Sequence, residues 1–377
     1  MYDIAVVGLG AVGSGTLLAA TERGLSAIGI EQYELGHDRG SSHGLSRVFR
    51  GAASEGQIYT DLALRSLEIW RDLERRSGEE IVTLTSGIII APPDSDLILE
   101  SRAVLDGHAM PYEELDADEI CARYPQHHVR DEDIAILDPS LGVVRPERAI
   151  LAALAAARER GASVLSRTRV TAIRSIAGGA KVVLDDAETI RARTVVIAAG
   201  PWASRLGLEL PVSLVTRRAL LSWFHPVPGA EDEFAASRFP AFRRKLDSEY
   251  GWGAGVIDDH GVKVGLRQQD GYVVDDPSRN PTEVDAWEVE RVEAFVAQQF
   301  PRLVPKARHA TGCMITLTPD ERFVIDRVAD APNVLLAAAC SGHGFKTSAA
   351  VGEVAVQLAL DESGAIPASA FSAARFA

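Results

Sequence analysis

Gly8-Leu9-Gly10-Ala11-Val12-Gly13 and the carboxylate of Glu31 could together bind a dinucleotide. Gly8 permits a tight turn, Gly10 lets the backbone approach a pyrophosphate, and Gly13 lets a helix pack close to a strand. A helix opening at such a loop offers unpaired N–H groups and its positive dipole end to phosphate oxygens. Glu31 stands where a carboxylate would accept hydrogen bonds from a ribose diol. Near the other end of the chain, Ser341-Gly342-His343-Gly344-Phe345-Lys346 forms a glycine turn ahead of a helix and could hold an anionic ring edge. Between these segments lie the cations Arg47, Arg50 and Lys263 and the cysteines Cys121, Cys313 and Cys340.

These groups need elements to position them. Residues 4–7 read as a buried strand, 14–21 as a small-residue helix and 26–30 as a second strand, so the glycines fall in a strand–loop–helix–strand setting. A polar loop over 36–44 leads to Arg47 and Arg50, which would share a face on a helical turn. Residues 58–76 read as an amphipathic helix and 81–90 as a strand, while 92–129 are polar and mixed, with a short helix over 116–124. Pro146 opens an alanine-rich helix over 146–161. Strands follow at 164–165, 170–173, 181–184 and 194–200, the last ending on Gly200. From 211 to 308 aromatic residues and candidate strands accumulate, with a helix over 283–300. A strand at 334–339 and a helix at 347–360 return to the first pattern.

The fold class expected is α/β (α+β overall). A discontinuous Rossmann-type nucleotide domain spans 1–85, 145–205 and 315–377. A substrate domain on a mixed, largely antiparallel sheet takes 86–144 and 206–314.

The chain has 377 residues, 46% hydrophobic and 24% charged, as suits a globular protein of two domains. Its formal charge of -14 argues against nucleic acid and anionic membrane surfaces but leaves room for an anionic small substrate. Three widely spaced cysteines suit a reducing cytoplasm, and Cys340 reads as core. With no signal peptide and no apolar run long enough to span a bilayer, a cytoplasmic protein is expected.

The glycine loop alone does not choose between FAD and NAD. Three remote segments favour FAD: the strand running into Ala198-Ala199-Gly200-Pro201, Val170 in its strand, and the turn at Ser341 to Lys346. With these in place the chain resembles the monomeric sarcosine oxidase and N-methyltryptophan oxidase family of D-amino-acid-oxidase-like flavoproteins. The most specific blocks are Gly40-Ser41-Ser42-His43-Gly44-Leu45-Ser46-Arg47-Val48-Phe49-Arg50, Gly312-Cys313-Met314 followed by Thr318-Pro319-Asp320-Glu321, and Ser341 to Lys346.

The resemblance implies FAD held covalently through Cys313. It implies cofactor contacts at Gly8, Gly10, Val12, Gly13, Glu31, Ser41, His43, Arg47, Val170, Ala199, Gly200, Trp202, Gly342, His343, Gly344, Phe345 and Lys346. His43 and Arg47 would line the flavin, where a cation stabilises the charge that develops on reduction. Lys263 would assist electron transfer to oxygen, and Arg50 with Lys346 would hold a substrate carboxylate. No metal is implied.

Departures cluster at the substrate. Arg267 stands where sarcosine oxidase has a histidine, Ile315 and Trp252 where it has tyrosines, Ser42 for one histidine of a pair and Leu45 for an aspartate. Changed polar groups change what a pocket accepts, so a secondary or N-methyl amino acid larger than sarcosine is expected, with Arg267 a third cation. The implied reaction is C–N oxidation to an imine that then hydrolyses, with molecular oxygen reduced to hydrogen peroxide. A monomer or weak oligomer is expected. The alternatives are a dehydrogenase passing electrons to another acceptor, a non-catalytic FAD-binding partner subunit, and an NAD-dependent dehydrogenase.

Overall fold

A computed structural model describes residues 1–376 except 258–259, 268–270, 280–281 and 339–340. Cys340 and the end of the expected strand at 334–339 therefore lie outside the described residues.

Strand β1 (Tyr2–Val7) shows how the pattern becomes structure. Ile4 and Val6 pack into one apolar cluster with Leu17, Val351 and Val354. Ala5 and Val7 pack into another with Ile28, Val195 and Leu336. A strand buried on both faces is apolar throughout. It lies parallel between β2 (Ala27–Ile30) and β12 (Thr189–Ile197). Parallel pairing continues beyond β2 to β9 (Ser163–Leu165) and beyond β12 to β19 (Ala331–Ala338). The two halves of β12 have different neighbours: 189–192 pair with β11 (Gly179–Leu184) and 195–197 with β19. Antiparallel strands β10 (Val170–Ile176) and β18 (Val324–Val328) complete eight strands.

Helix α1 (Ala11–Glu22) crosses α7 (Ser348–Ala359) closely. A Cβ on Gly352 would stand 2.3 Å from the carbonyl carbon of Gly15, so only glycine admits this approach. Helix α5 (Pro146–Glu159) begins with its proline and also packs on α1. Helix α2 (Gln57–Ser77) ends at Gly78, whose φ of 74° supplies the left-handed cap.

The second sheet, also eight-stranded, runs β17 (His309–Leu317), β13 (Val215–Phe224), β16 (Val262–Leu266), β15 (Glu249–Ala254), β14 (Phe242–Leu246), β5 (Gly87–Ala91), β7 (Ile134–Asp138) and β6 (Glu113–Leu115). Among the described residues of this sheet, β14 and β5 are the pair that runs parallel. Phe234, Phe239, Phe242, Phe295 and Phe300 form the core on one face, under α6 (Ala286–Gln299). Helix α3 (Asp96–Gly107) packs Leu97, Ile98 and Leu105 into a cluster with Ile89 and Ile136, and α4 (Ala117–Arg123) carries a capping box from Asp116. A three-stranded sheet, β3 (Arg47–Arg50), β8 (Leu141–Val144) and β4 (Val82–Leu84), stands beside these.

Four sequence expectations are corrected. The strand expected over 81–90 is two strands in different sheets, parted at Ser86, whose φ is 52°. Arg47 and Arg50 lie on a strand, so a spacing of three puts them on opposite faces. The strand expected to reach Gly200 ends at Ile197, and Gly200, with φ 48°, opens a short 3-10 turn. The region 92–129 contains the full helix α3 besides the short one.

Candidate active site

A continuous cavity of about 690 Å³ runs from the glycine loop to the second sheet. At one end, Gly10 is the N-cap of α1 and supplies no side-chain cap of its own. Gly8, with φ 89°, sits so close to the next strand that a Cβ would be 2.7 Å from the Ala198 carbonyl oxygen. A Cβ on Gly13 would lie 1.8 Å from the Gly8 carbonyl oxygen, so Gly13 packs under the turn and is not part of the cavity wall. Gly10 and Val12 are part of it.

Glu31 is buried and accepts from Leu9 N–H at 2.9 Å and Tyr33 N–H at 3.0 Å. Burial opposes its ionisation, but His37 and these N–H groups outweigh that and hold the carboxyl below its usual range. Val170, Ala199, Gly200 and Trp202 complete this end of the wall. Ser42 Oγ accepts from Ala11 N–H at 3.3 Å. Ser41 Oγ is buried without a partner and faces the same cavity. A helix N-terminus behind a tightly packed glycine turn, with an orphaned hydroxyl beside it, suits a dinucleotide pyrophosphate.

Cys313 lies farther along, on β17, buried against Leu221, Trp223 and Trp252. Arg47 reaches it with Nη2 3.4 Å from Sγ, while Nη1 donates to the Ser46 carbonyl at 2.9 Å. A cation at that distance is what a nucleophilic sulfur needs. The Gly342 to Lys346 turn and Ile315 face the same space.

His43 and Lys263 are buried but are not part of the wall. Burial first, then Arg47 and Lys263, push the His43 imidazole down to about 3, so it is neutral, and its Nε2 has no partner. Lys263 Nζ donates to the carbonyls of Gly44 at 2.6 Å and Ser46 at 2.7 Å and lies 4.7 Å from the Trp223 ring centroid. The ammonium is thus fixed under the loop that carries His43 and Arg47.

At the far end a charged cluster collects from three distant segments. Glu55 Oε1 receives Arg50 Nη2 at 2.5 Å and Lys346 Nζ at 3.2 Å, with His343 Nδ1 3.7 Å away. Lys346 Nζ also donates to the His343 carbonyl at 2.9 Å. Burial opposes ionisation of Glu55, but Arg50 and Lys346 outweigh it and hold the carboxyl well below its usual range. Burial pushes Lys346 down to about 7, against the pull of Glu55, and His343 down to about 4. Arg243 and Tyr250 lie here too. Neither these two nor Glu55 stood out in the sequence, because a charge in an unplaced strand or loop reads as solvated surface. The buried Phe242-Arg243-Arg244 run, charged between apolar residues, was the available signal.

Trp252 lies over Gly265, and both it and Ile315 line this end. Arg267 reaches the rim but is half exposed and paired with Glu321 at 3.1 Å, so it brings no uncompensated charge.

A largely parallel nucleotide-binding sheet, a mixed second sheet and a cavity joining them are the architecture of a dinucleotide-dependent enzyme. The sequence model of the family DAO, FAD dependent oxidoreductase, matches residues 3–358. The monomeric sarcosine oxidase of Streptomyces avermitilis is 33% identical, over 100% of this chain and 98% of that protein. The N-methyl-L-tryptophan oxidase of Yersinia pestis is also 33% identical, over 100% and 99%. The chain belongs to this family and is an FAD-dependent amine oxidoreductase of the sarcosine oxidase and N-methyltryptophan oxidase kind. Among solved structures, NikD, an unusual amino acid oxidase essential for nikkomycin biosynthesis, superposes with a TM-score of 0.84 at 22% identity, covering 98% of this chain and 97% of that one. L-proline dehydrogenase from P. horikoshii gives 0.82 at 20% identity, over 99% and 97%. These two share the fold.

Proposed function

We propose that this chain oxidises a secondary or N-methyl amino acid larger than sarcosine, with molecular oxygen as acceptor and FAD tethered through Cys313. FAD supplies the two-electron oxidation of the C–N bond; the product imine hydrolyses in water, and oxygen leaves as hydrogen peroxide. The observation that carries this reading is a single cavity. It brings the dinucleotide cradle, Cys313 beside Arg47, and the Arg50–Lys346 cation pair together.

On this reading Arg50 and Lys346 hold the substrate carboxylate, and Glu55 keeps their place. Trp252 and Ile315 give an apolar wall that a larger side chain would fill, and Arg267 belongs to the rim. Arg47 faces the developing negative charge, and Lys263 stabilises charge passed to oxygen from its fixed position. His43 and His343, both held neutral, act as hydrogen-bonding and packing groups. Residues 1–85, 145–205 and 315–377 form the FAD domain and the remainder the substrate domain. Cys121 and Cys313 are unpaired, which supports a reducing, cytoplasmic setting. Among the described residues no helix is long and apolar enough to cross a membrane.

The test combines acid precipitation with anaerobic reduction. Yellow colour should stay with the acid pellet of the native enzyme and pass to the supernatant for Cys313→Ala. N-methyl amino acids should bleach the visible band anaerobically, and admitted oxygen should restore it with stoichiometric peroxide. Colour released from the native enzyme refutes the tether. Bleaching that oxygen does not reverse refutes the oxidase reading in favour of a dehydrogenase. No bleaching by any amine points to a non-catalytic FAD-binding subunit.

A further inference from the structure

We propose that Arg243 binds a second anionic group of the substrate, so that the favoured substrate is an N-substituted amino acid with a side-chain carboxylate. This rests on the reading of Arg50 and Lys346 as the site for the amino acid's own carboxylate.

Strand β14 carries two consecutive buried arginines, which alternate between its faces. Arg244, on the side away from the cavity, is paired with Asp133 at 3.2 Å. Arg243 faces the cavity opposite Trp252 in the strand register. Among the described residues no carboxylate lies within 4 Å of it. Its Nε donates to the Tyr250 hydroxyl, and its Nη2 is 3.4 Å from Ser54 Oγ. Neither partner is a carboxylate. The same serine oxygen accepts from Arg50 Nη1 at 3.0 Å, so two guanidinium groups meet on one hydroxyl.

A buried charge without a counter-ion is costly, and two like charges side by side cost more. Here Arg50 and Lys346 are both paired with one carboxylate, Glu55, which acts on Arg243 only from beyond ion-pair distance. The nearby Asp138 commits Oδ1 to Ser140, at 2.8 Å from N and 2.6 Å from Oγ, and stands beyond ion-pair reach of either arginine. Asp96 is paired with Lys245 and Glu100 is exposed, both at the rim. Among the described residues Arg243 therefore has no carboxylate in direct contact. An amino acid's own carboxylate is taken up by Arg50 and Lys346, which leaves Arg243 for another anion. The planar fork of Arg243, with Tyr250 alongside, is matched to a second carboxylate.

Two isosteric pairs test this on the holoenzyme. N-methylglutamate and N-methylglutamine differ only in the charge of the side chain. Glutarate and its monoamide differ in the same way and have no amine to oxidise. The acid should exceed the amide at least tenfold, in kcat/KM for the first pair and in calorimetric affinity for the second. Arg243→Met should bring both ratios close to one, while Arg243→Lys keeps most of the preference. Native enzyme that treats acid and amide alike in both assays overturns the proposal, whether or not the variants fold. Equal loss for acid and amide in Arg243→Met also overturns it. A glutarate preference lost in Arg243→Met, with no amine reducing the flavin, would sustain the Arg243 site and refute the amine-oxidase reading instead.

Discussion

Lys346 carries its charge conditionally. It is buried and sits about 7 in the resting cluster, so at neutral pH the site is poised between one and two cations beside Glu55. An entering carboxylate favours the ammonium. Below pH 7 affinity for an amine-free carboxylate should be flat; above it, affinity should fall toward tenfold per unit, because each binding event must first take up a proton. Calorimetry with glutarate from pH 6 to 9 measures this, and Lys346→Met should bind weakly with no such break. Arg50 and Lys346 were legible in the sequence because they belong to segments with recognisable neighbours. Arg243 and Glu55 were not, since only tertiary structure buries them. Arg267 was overvalued for the converse reason: its position in the chain was visible, while its partner Glu321 was not.

At the scale of elements, the crossing of α1 and α7 sets where the dinucleotide cradle lies. Gly15 and Gly352 let the two backbones meet. An alanine at 352 gains up to about 1 kcal/mol of helix propensity. It also forces a Cβ to within 2.3 Å of backbone that has no flexible end to give way. Overpacking of this kind costs about 1–3 kcal/mol, so the clash wins. Gly352→Ala should lower the melting temperature and reduce the flavin-to-protein absorbance ratio; an unchanged ratio would show that α1 does not depend on this contact. The spacing of small and apolar residues made β1, α1, α5 and α7 legible. The break at Ser86 was not, because sheet membership of β4 and β5 is decided by partners far away in sequence. Helix α3 had a usable signal in Ser95 as its cap and in Leu97, Ile98, Ser101 and Leu105 on one face.

The whole molecule hides several neutral histidines. His127 is surrounded by Phe239, Phe242 and Phe300, with neither ring nitrogen hydrogen-bonded, and burial, then Arg244, hold it well below its ordinary value. Burial likewise depresses His43 and His343. In the unfolded chain each would take up a proton below its ordinary value of about 6.5, whereas the native protein refuses it. Stability is therefore complete above that value and declines as the pH falls, each histidine contributing a slope of about 1.4 kcal/mol per pH unit. His127→Leu should remove one such contribution, read from urea unfolding between pH 6.5 and 5. An unchanged slope would mean that His127 is protonated in the native state.

The pairing of β1 with β12, and of β12 with β19, joins Val7 to Ile197 and Ile197 to Leu336. During synthesis the first strand has its β2 neighbour at once, yet waits for nearly two hundred residues before its other edge is covered. The strand and glycine turn that complete the cavity emerge later still. The glycine loop is thus made early, whereas the compartment that encloses a cofactor closes late. The nascent chain spends most of its synthesis with an uncovered parallel-strand edge, in an interval when the flavin has no finished compartment to enter.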